Sequence, residues 1–299
     1  MAQTISIGAT QHIGMLKARL GRELELFARD GLKVVMEENQ AGKFTFLACR
    51  VSLNGRSEYS EEDSQVILKH FIAEIISDII LNHWGDILLK DIIRENYYYL
   101  CDEEKDLIFD YATRHVKRGG DSWSSVGRIN RKSLVLQKLL DFLHSNNSIV
   151  IDGFIKFRLK EYIYELREAA DKAVDDFLME REYREFIQLL KYFVEIQEPK
   201  IEIVHVLIRA GGTFNLFNER MKPIKSDYME STILNLVDNE INYEDLLISA
   251  LITLAPKKIR LHYLNADRQS ATLETIKSVF TGRVMECPGC NLCASSMKI

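Results

Sequence analysis

Residues 258–293, KIRLHYLNADRQSATLETIKSVFTGRVMECPGCNLC, decide the fold of the C-terminal part of the chain. Residues 258–264 alternate polar and apolar side chains, as a half-buried strand does. Residues 271–280 place apolar side chains at helical spacing, and residues 283–286 predict a second, short strand. Two strands joined by one helix form a βαβ unit, whose right-handed crossover makes the two strands parallel.

The sequence before this unit also has mixed α/β character. Residues 201–208 and 213–217 predict a β-hairpin, and residues 243–254 predict a helix. The change of sequence character at Pro199 predicts a domain boundary. We therefore expect a C-terminal α/β domain over residues 199–299, with a β-hairpin, a βαβ unit and a cysteine-rich tail.

The middle of the chain, residues 60–198, is predicted to be a helical domain. Apolar residues recur there every three to four positions, which is the period of an amphipathic helix. The clearest break is RGGDSWSSVGRI at residues 118–129, which predicts a loop. Residues 154–194 contain no glycine or proline and predict one long helix, or two helices with a bend near Glu180.

The first 59 residues are predicted to form a small α/β element. Residues 10–29 have the pattern of an amphipathic helix, and residues 32–37 and 43–51 predict two strands of a hairpin. One helix and one hairpin bury too little apolar surface to fold alone, so we expect residues 1–59 to pack on the helical domain. The predicted fold class is α+β.

The composition indicates a globular protein of the cytosol. The 299 residues are 46% hydrophobic and 28% charged, with a formal net charge of −5, which disfavours a disordered chain and a dedicated nucleic-acid coat. We expect no signal peptide and no membrane span, because charges interrupt the most apolar stretch, residues 66–93. Five cysteines, an odd number, fit a reduced compartment better than a disulfide framework.

Three cysteines form the run Cys287, Cys290 and Cys293, with Pro288 and Gly289 in its first turn. A Cys-x-x-Cys turn points both sulfurs to the same side, so two thiolates can bind one ion. The third cysteine would complete three ligands of a zinc site or three corners of an iron–sulfur cluster. A reduced thiol cluster or a redox pair without metal is the alternative.

The candidate fourth ligand is His262. The predicted strands 258–264 and 283–286 end at the same sheet edge, which places His262 beside the cysteine run. Cys101 and Cys49 are rival fourth ligands, and an iron–sulfur cluster would favour Cys101. Zinc is favoured over an iron–sulfur cluster, because closed structural thiolate sites most often hold zinc. The other strand histidine, His205, has apolar neighbours and is predicted to be a core residue.

A basic segment borders the predicted loop at residues 118–129. A nucleic-acid or phosphate site would use its cations, with a tryptophan stacking on a base. The candidate residues are Arg114, Lys117, Arg118, Trp123, Arg128, Arg131 and Lys132. The alternative is a solvated loop with the tryptophan packed on the helices, and the absence of an accompanying nucleic-acid motif favours it.

Several segments resemble one known family in the same order along the chain. They are IVIDGFIKFRLKEY at residues 149–162, DKAVDDFLMEREYREFIQLLKYFVEIQEPKIEIVHVLI at residues 171–208, NYEDLLISALITLAPKKI at residues 242–259, and the terminal CPGCNLC. Together they resemble the YtxC-like family of endospore-forming bacteria over residues 97–293. The resemblance implies a cytosolic protein with a role in sporulation, and it supplies no catalytic residues.

These observations favour a non-enzymatic cytosolic protein that acts through an unidentified protein partner and holds a structural metal at its tail. The chain carries no phosphate-binding loop and no nucleophile-elbow motif, which is why catalysis is not favoured. An iron–sulfur or thiol redox protein using the same cysteines is the first alternative. A nucleic-acid or phosphate binder using residues 114–132 is the second.

Overall fold

The computed structural model describes most of the chain. The described residues are 4–29, 32–53, 60–118, 124–208, 213–224, 243–263, 271–290 and 293. They form two compact units, Met1–Leu178 and Met179–Ile299. The architecture is mixed α/β, with a small sheet in each unit and a long helical middle, which confirms the predicted α+β class. The three domain ranges given above stay a prediction.

The first unit contains a small sheet and most of the helices. Its elements are β1 (Ile5–Ala9), α1 (Ile13–Arg29), β2 (Leu32–Ala41), β3 (Phe44–Leu53), α2 (Glu61–Ile79), a π-helical turn (Ile80–Trp84), α3 (Gly85–Asn96), α4 (Asp102–Arg118), α5 (Ser124–Ser145), β4 (Ser148–Val150), α6 (Ile151–Arg158) and the beginning of α7 (Lys160–Ile196). Among these described residues, no helix has both the length and the apolar character that crossing a bilayer requires, and the same holds for the second unit.

The sheet of the first unit has the strand order β2-β3-β1-β4. The predicted hairpin is confirmed as β2 and β3, which pair antiparallel and are longer than predicted. The inner strand β1 was not predicted. Its Ile7 lies opposite Leu47 of β3 on one side and opposite Ile149 of β4 on the other. Ile5 and Ile7 are fully buried, so β1 lies at the centre of the core of this unit.

The positions of the helix ends decide two predictions about the middle of the chain. The predicted loop at residues 118–129 is too long, because α4 reaches Arg118 and α5 begins at Ser124, where serine residues favour a helix start. Of the two alternatives for residues 154–194, one long helix is confirmed, because α7 runs through Glu180 and ion pairs such as Arg184–Glu180, at 2.9 Å, support its successive turns. This helix begins later than predicted, at Lys160, because a break at Leu159 separates it from α6.

The π-helical turn brings Gly85 against the side chain of Tyr162 on α7. A Cβ atom on Gly85 would overlap the Tyr162 hydroxyl oxygen, at a separation that real Cβ atoms essentially never show. Tyr162 itself is buried, and burial raises its pKa to about 12. Only glycine at position 85 leaves room for this hydroxyl group.

We expect Gly85→Ala to lower the free energy of unfolding by about 1–3 kcal/mol through overpacking, although alanine is the better helix former. Adding Tyr162→Phe, which removes the hydroxyl, should recover part of the loss. Gly153→Ala on α6 is the matched control, because a Cβ there has nothing within 4 Å. Urea unfolding followed by circular dichroism measures all three variants; equal stability of Gly85→Ala and the wild type would contradict the close contact.

The second unit has its own sheet and apolar core. Its elements are the end of α7, then β5 (Ile201–Ile208), β6 (Phe214–Asn218), α8 (Tyr243–Leu254), β7 (Pro256–His262), α9 (Ala271–Val279) and β8 (Val284–Glu286). The strand order is β6-β5-β7-β8, with β5 and β6 antiparallel. The pairs β5–β7 and β7–β8 are parallel, which confirms the predicted hairpin and βαβ unit.

One strand of this unit begins earlier than predicted. Ala255 takes the left-handed conformation, with φ 43°, and ends α8. Pro256 then starts β7 two residues before the predicted strand, at the one position of a strand where its missing N–H costs least. Ile259 and Leu261 point into the core, and His262 is the last residue of β7.

Candidate metal centre

The candidate metal centre lies at the C-terminal ends of β7 and β8. His262 ends β7, and Cys287 follows β8 directly. The Cys287 N–H donates to the Leu261 carbonyl oxygen at 2.9 Å, so the hydrogen bonding between the two strands continues to the first cysteine. Gly289 has φ +126°, a conformation that side chains disfavour, and it allows the tight turn after Cys287. The sheet therefore fixes where the cysteine run begins.

The four predicted ligands come together at this edge. Their ligand atoms, one from each of His262, Cys287, Cys290 and Cys293, all lie within 4.8 Å of one another. The His262 Nδ1 atom is 3.4 Å from the Cys290 Sγ and 3.5 Å from the Cys293 Sγ. The two sulfurs are 3.8 Å apart. This group could hold a metal ion.

These separations can be compared with those around a tetrahedral zinc ion. Bonds of about 2.3 Å to sulfur and about 2.0–2.1 Å to nitrogen place two sulfurs about 3.8 Å apart and a sulfur and a nitrogen about 3.6 Å apart. The distances among His262, Cys290 and Cys293 match both values within about 0.2 Å, the tolerance expected of a real site. These three side chains have the spacing that one tetrahedral ion needs, and the Cys287 sulfur lies within 4.8 Å of their ligand atoms.

The electrostatics of the ligands also suit a metal. Burial lowers the pKa of His262 to about 4, with smaller contributions from His205 and Arg260, so its imidazole is neutral at pH 7 and has a lone pair to donate. Burial raises the pKa of the Cys293 thiol to about 11. A bound cation would reverse this preference, because a coordinating thiol loses its proton.

The rival fourth ligands, Cys49 and Cys101, belong to the first unit, whereas the candidate metal centre belongs to the second. Cys49 is fully buried on β3, where burial raises its thiol pKa to about 11. Cys101 is exposed at the start of α4, and its backbone N–H donates to a carboxylate oxygen of Glu104 at 3.0 Å. Neither residue belongs to the ligand group around His262.

Three residues of the predicted basic segment, Arg114, Arg131 and Lys132, have partners within the first unit. The Arg114 guanidinium lies 4.2 Å from the centre of the Tyr111 ring. Arg131 donates to the Val116 carbonyl oxygen at 2.5 Å, and Lys132 lies 2.9 Å from a carboxylate oxygen of Asp78. Trp123 and the side chains of Arg118 and Arg128 lie outside what the structure describes.

Some of these basic residues border a cavity of about 1020 Å³ between the helices of the first unit. The charged residues lining it are Lys117, Arg131, Lys132, Asp78, Asp86 and Asp110. Acidic and basic groups are therefore present in equal number, which is not the excess of positive charge that phosphate binding requires. The nucleic-acid or phosphate site stays a prediction.

Sequence reasoning missed the relation of His205 to this centre. The structure buries His205 as predicted, but its ring contacts the ligand His262 rather than apolar side chains alone. In the register of β5 and β7, His205 lies opposite Arg260 and Leu207 lies opposite His262. A histidine on each of two neighbouring parallel strands is a signal that could have suggested the contact.

Comparison with known proteins places the chain in a family. The family model of the YtxC-like family matches residues 70–285, which is most of the chain. The chain belongs to the YtxC-like family. The match begins earlier than the resemblance at residues 97–293, and it includes His205 and His262 but ends before Cys287.

A similar protein in this family is the uncharacterized protein YtxC of Bacillus subtilis strain 168. The two sequences are 27% identical over 224 residues, which cover 74% of this chain and 78% of the B. subtilis protein. No solved structure matches the chain significantly.

Proposed function

We propose that this YtxC-like protein binds one structural zinc ion through His262, Cys287, Cys290 and Cys293. The observation that carries the proposal is that the distances among the ligand atoms of His262, Cys290 and Cys293 match the edges of a zinc tetrahedron, with the Cys287 sulfur within 4.8 Å of each of them. All four ligands come from the protein, so the ion keeps no open position for water or a substrate. Such a closed site stabilises a fold rather than performing catalysis.

The spacing of the ligands favours one zinc ion over an iron–sulfur cluster. A [4Fe–4S] cluster binds each ligand through a different iron, and a [2Fe–2S] cluster divides its four ligands between two irons, so the four ligand atoms are spread further apart than around a single ion. Here the four ligand atoms lie within 4.8 Å of one another, and Cys290 and Cys293 are separated by only 3.8 Å. Three thiolates and one imidazole are also a standard ligand set of structural zinc.

The zinc ion would attach the cysteine run to the sheet. β8 has only three residues, and Met285 and Glu286 are exposed, so the strand itself buries little apolar surface. Through the metal, Cys287, Cys290 and Cys293 would be attached to His262, a buried residue at the end of β7. The surface around the tail then has a fixed shape that a partner protein can recognise.

The cellular role that we propose follows from the family. The resemblance to the YtxC-like family implies a cytosolic sporulation protein of endospore-forming bacteria. Its action through contact with another protein is our own proposal. The closed ligand set supports a role without catalysis, because a catalytic zinc keeps one position for water or substrate. Reduced cysteines, which a metal site needs, persist in the cytosol.

Metal analysis tests the zinc site. Protein purified under argon without a histidine tag should contain about one zinc per chain. Cys290→Ser removes one ligand and should lose nearly all of the zinc. Cys101→Ser is the matched control, because Cys101 is exposed and outside the ligand group, and it should keep the wild-type content. Wild-type protein without metal, or with iron and visible colour, would overturn the proposal.

A further inference from the structure

Two buried histidines lie in contact beside the cysteine run. His205 is 7% exposed and His262 is 2% exposed. The His205 Nδ1 atom lies 2.9 Å from the His262 Nε2 atom, which is hydrogen-bond distance. Their rings are stacked, with centroids 5.2 Å apart and planes inclined by 26°. The other ring nitrogen of His262, Nδ1, faces the sulfurs of Cys290 and Cys293.

The position of one proton follows from this arrangement. A neutral imidazole carries a single N–H, and its other nitrogen has a lone pair. A metal bound at the His262 Nδ1 takes the lone pair there, so the proton of His262 is on Nε2. The His262 Nε2–H group then donates to the His205 Nδ1 atom, which must carry the lone pair. The proton of His205 is therefore on its Nε2 atom. One combination of tautomers satisfies both the hydrogen bond and the ligation.

We propose that His205 is a positioning residue of the metal centre, which holds His262 in the tautomer and orientation that present Nδ1 to the ion. This inference rests on the proposed zinc function. Histidine ligands of metals usually donate their second ring N–H to an acceptor, and that acceptor fixes the ring and raises the basicity of the ligating nitrogen. His205 supplies the acceptor from β5, the neighbouring strand.

The charge of the site explains why a histidine serves as the acceptor. Three thiolates around Zn²⁺ leave the centre with a net negative charge. A carboxylate beside His262 would add a second negative charge in a buried place, whereas a neutral imidazole adds none. Arg260, opposite His205 in the register and on the same face of β7 as His262, supplies positive charge on this side of the sheet.

Two variants separate positioning from simple packing. His205→Leu keeps a buried apolar side chain but removes the acceptor. His205→Asn keeps an oxygen near the place of the imidazole Nδ1 and can still accept from His262. In competition with a chromophoric zinc chelator, we expect His205→Leu to weaken zinc binding about 10- to 100-fold, and His205→Asn to recover most of that loss.

The chemical shifts of the histidine ring nitrogens in the zinc-loaded protein give a second measurement. A change in side-chain packing alone would not alter the ligation and protonation states that these shifts report. We expect the His262 Nδ1 to show metal ligation and its Nε2 to carry a proton hydrogen-bonded to nitrogen. His205→Leu should shift the Nε2 signal, and His205→Asn should restore a hydrogen-bonded signal. If His205→Leu fails to fold, the role of His205 is still tested by two measurements: the tautomer of His262 in the wild type and the zinc affinity of His205→Asn.

Each outcome has a distinct meaning. Zinc bound by the wild type through the His262 Nε2, or equal zinc affinity of the wild type and His205→Leu, would overturn the role of His205 and leave the zinc site standing. A wild-type protein that binds no zinc in the competition would overturn the proposed function itself. Weaker binding by His205→Leu together with rescue by His205→Asn supports the positioning role.

Discussion

Removal of zinc with a strong chelator should lower the free energy of unfolding of the second unit by on the order of 5–10 kcal/mol. Structural zinc contributes about 10–16 kcal/mol of binding free energy in small zinc-finger peptides at pH 7. Because the proposed ion would bind the folded unit and only weakly its unfolded chain, its binding free energy would add to stability. We expect a smaller loss than in a zinc finger, since the second unit also has an apolar core around Leu251, Ile259 and Phe280.

The loss should be concentrated at the edge of the sheet. β8 pairs with β7 over only three positions, from Val284 opposite Ile259 to Glu286 opposite Leu261. Without the metal, few buried side chains hold β8 in place, because Met285 and Glu286 are exposed. We therefore expect β8 to detach first, and the C-terminal end of β7 to lose hydrogen-exchange protection with it.

Hydrogen exchange with mass spectrometry measures this effect strand by strand. Peptides covering β7 and β8 should exchange faster after chelation, whereas peptides covering β1 and β3 in the first unit should not change. Cys101→Ser should respond to the chelator as the wild type does, and Cys290→Ser should already exchange fast before chelation. Unchanged protection of β8 in a protein shown to have lost zinc would contradict a structural role for the metal.

The C-terminal part of the fold could be predicted because its information is local. The strand, helix and strand of the βαβ unit follow one another within residues 256–286, and each has its own periodicity. Parallel pairing then brings the ends of β7 and β8 to one edge, which is how His262 could be placed beside Cys287. Topology alone was enough to bring these two residues together.

Strand β1 and the contact between His205 and His262 could not be predicted, because both depend on the pairing of strands that are far apart in the sequence. β1 is short, and its parallel partner β4 is more than 130 residues away, so no local pattern identifies either strand. His205 is placed beside His262 by the register of β5 on β7, and one residue of slip would turn it to the other face. Sequence periodicity predicts which face of a strand is buried, but it does not predict the register in which two separate strands pair.

A substitution in the unpredicted strand β1 should also have a large effect on stability. Ile7→Ala should lower the free energy of unfolding of the first unit by about 2–5 kcal/mol, the usual loss when a buried isoleucine becomes alanine. Ile7 is fully buried and lies between Leu47 of β3 and Ile149 of β4, so the cavity would open between two neighbouring strands. Urea unfolding followed by tryptophan fluorescence measures it, because both tryptophans of the chain lie in residues 1–178.

The matched control is Val35→Ala on β2, at the edge of the same sheet. Val35 is 42% exposed, so the substitution opens no closed cavity and should cost less than about 1 kcal/mol, the span of strand propensity. A large difference between the two variants follows only if β1 is an inner strand. If Ile7→Ala and Val35→Ala had equal, small effects, residues 5–9 would not form the centre of the sheet, and the register that joins β1 to β3 and β4 would be wrong.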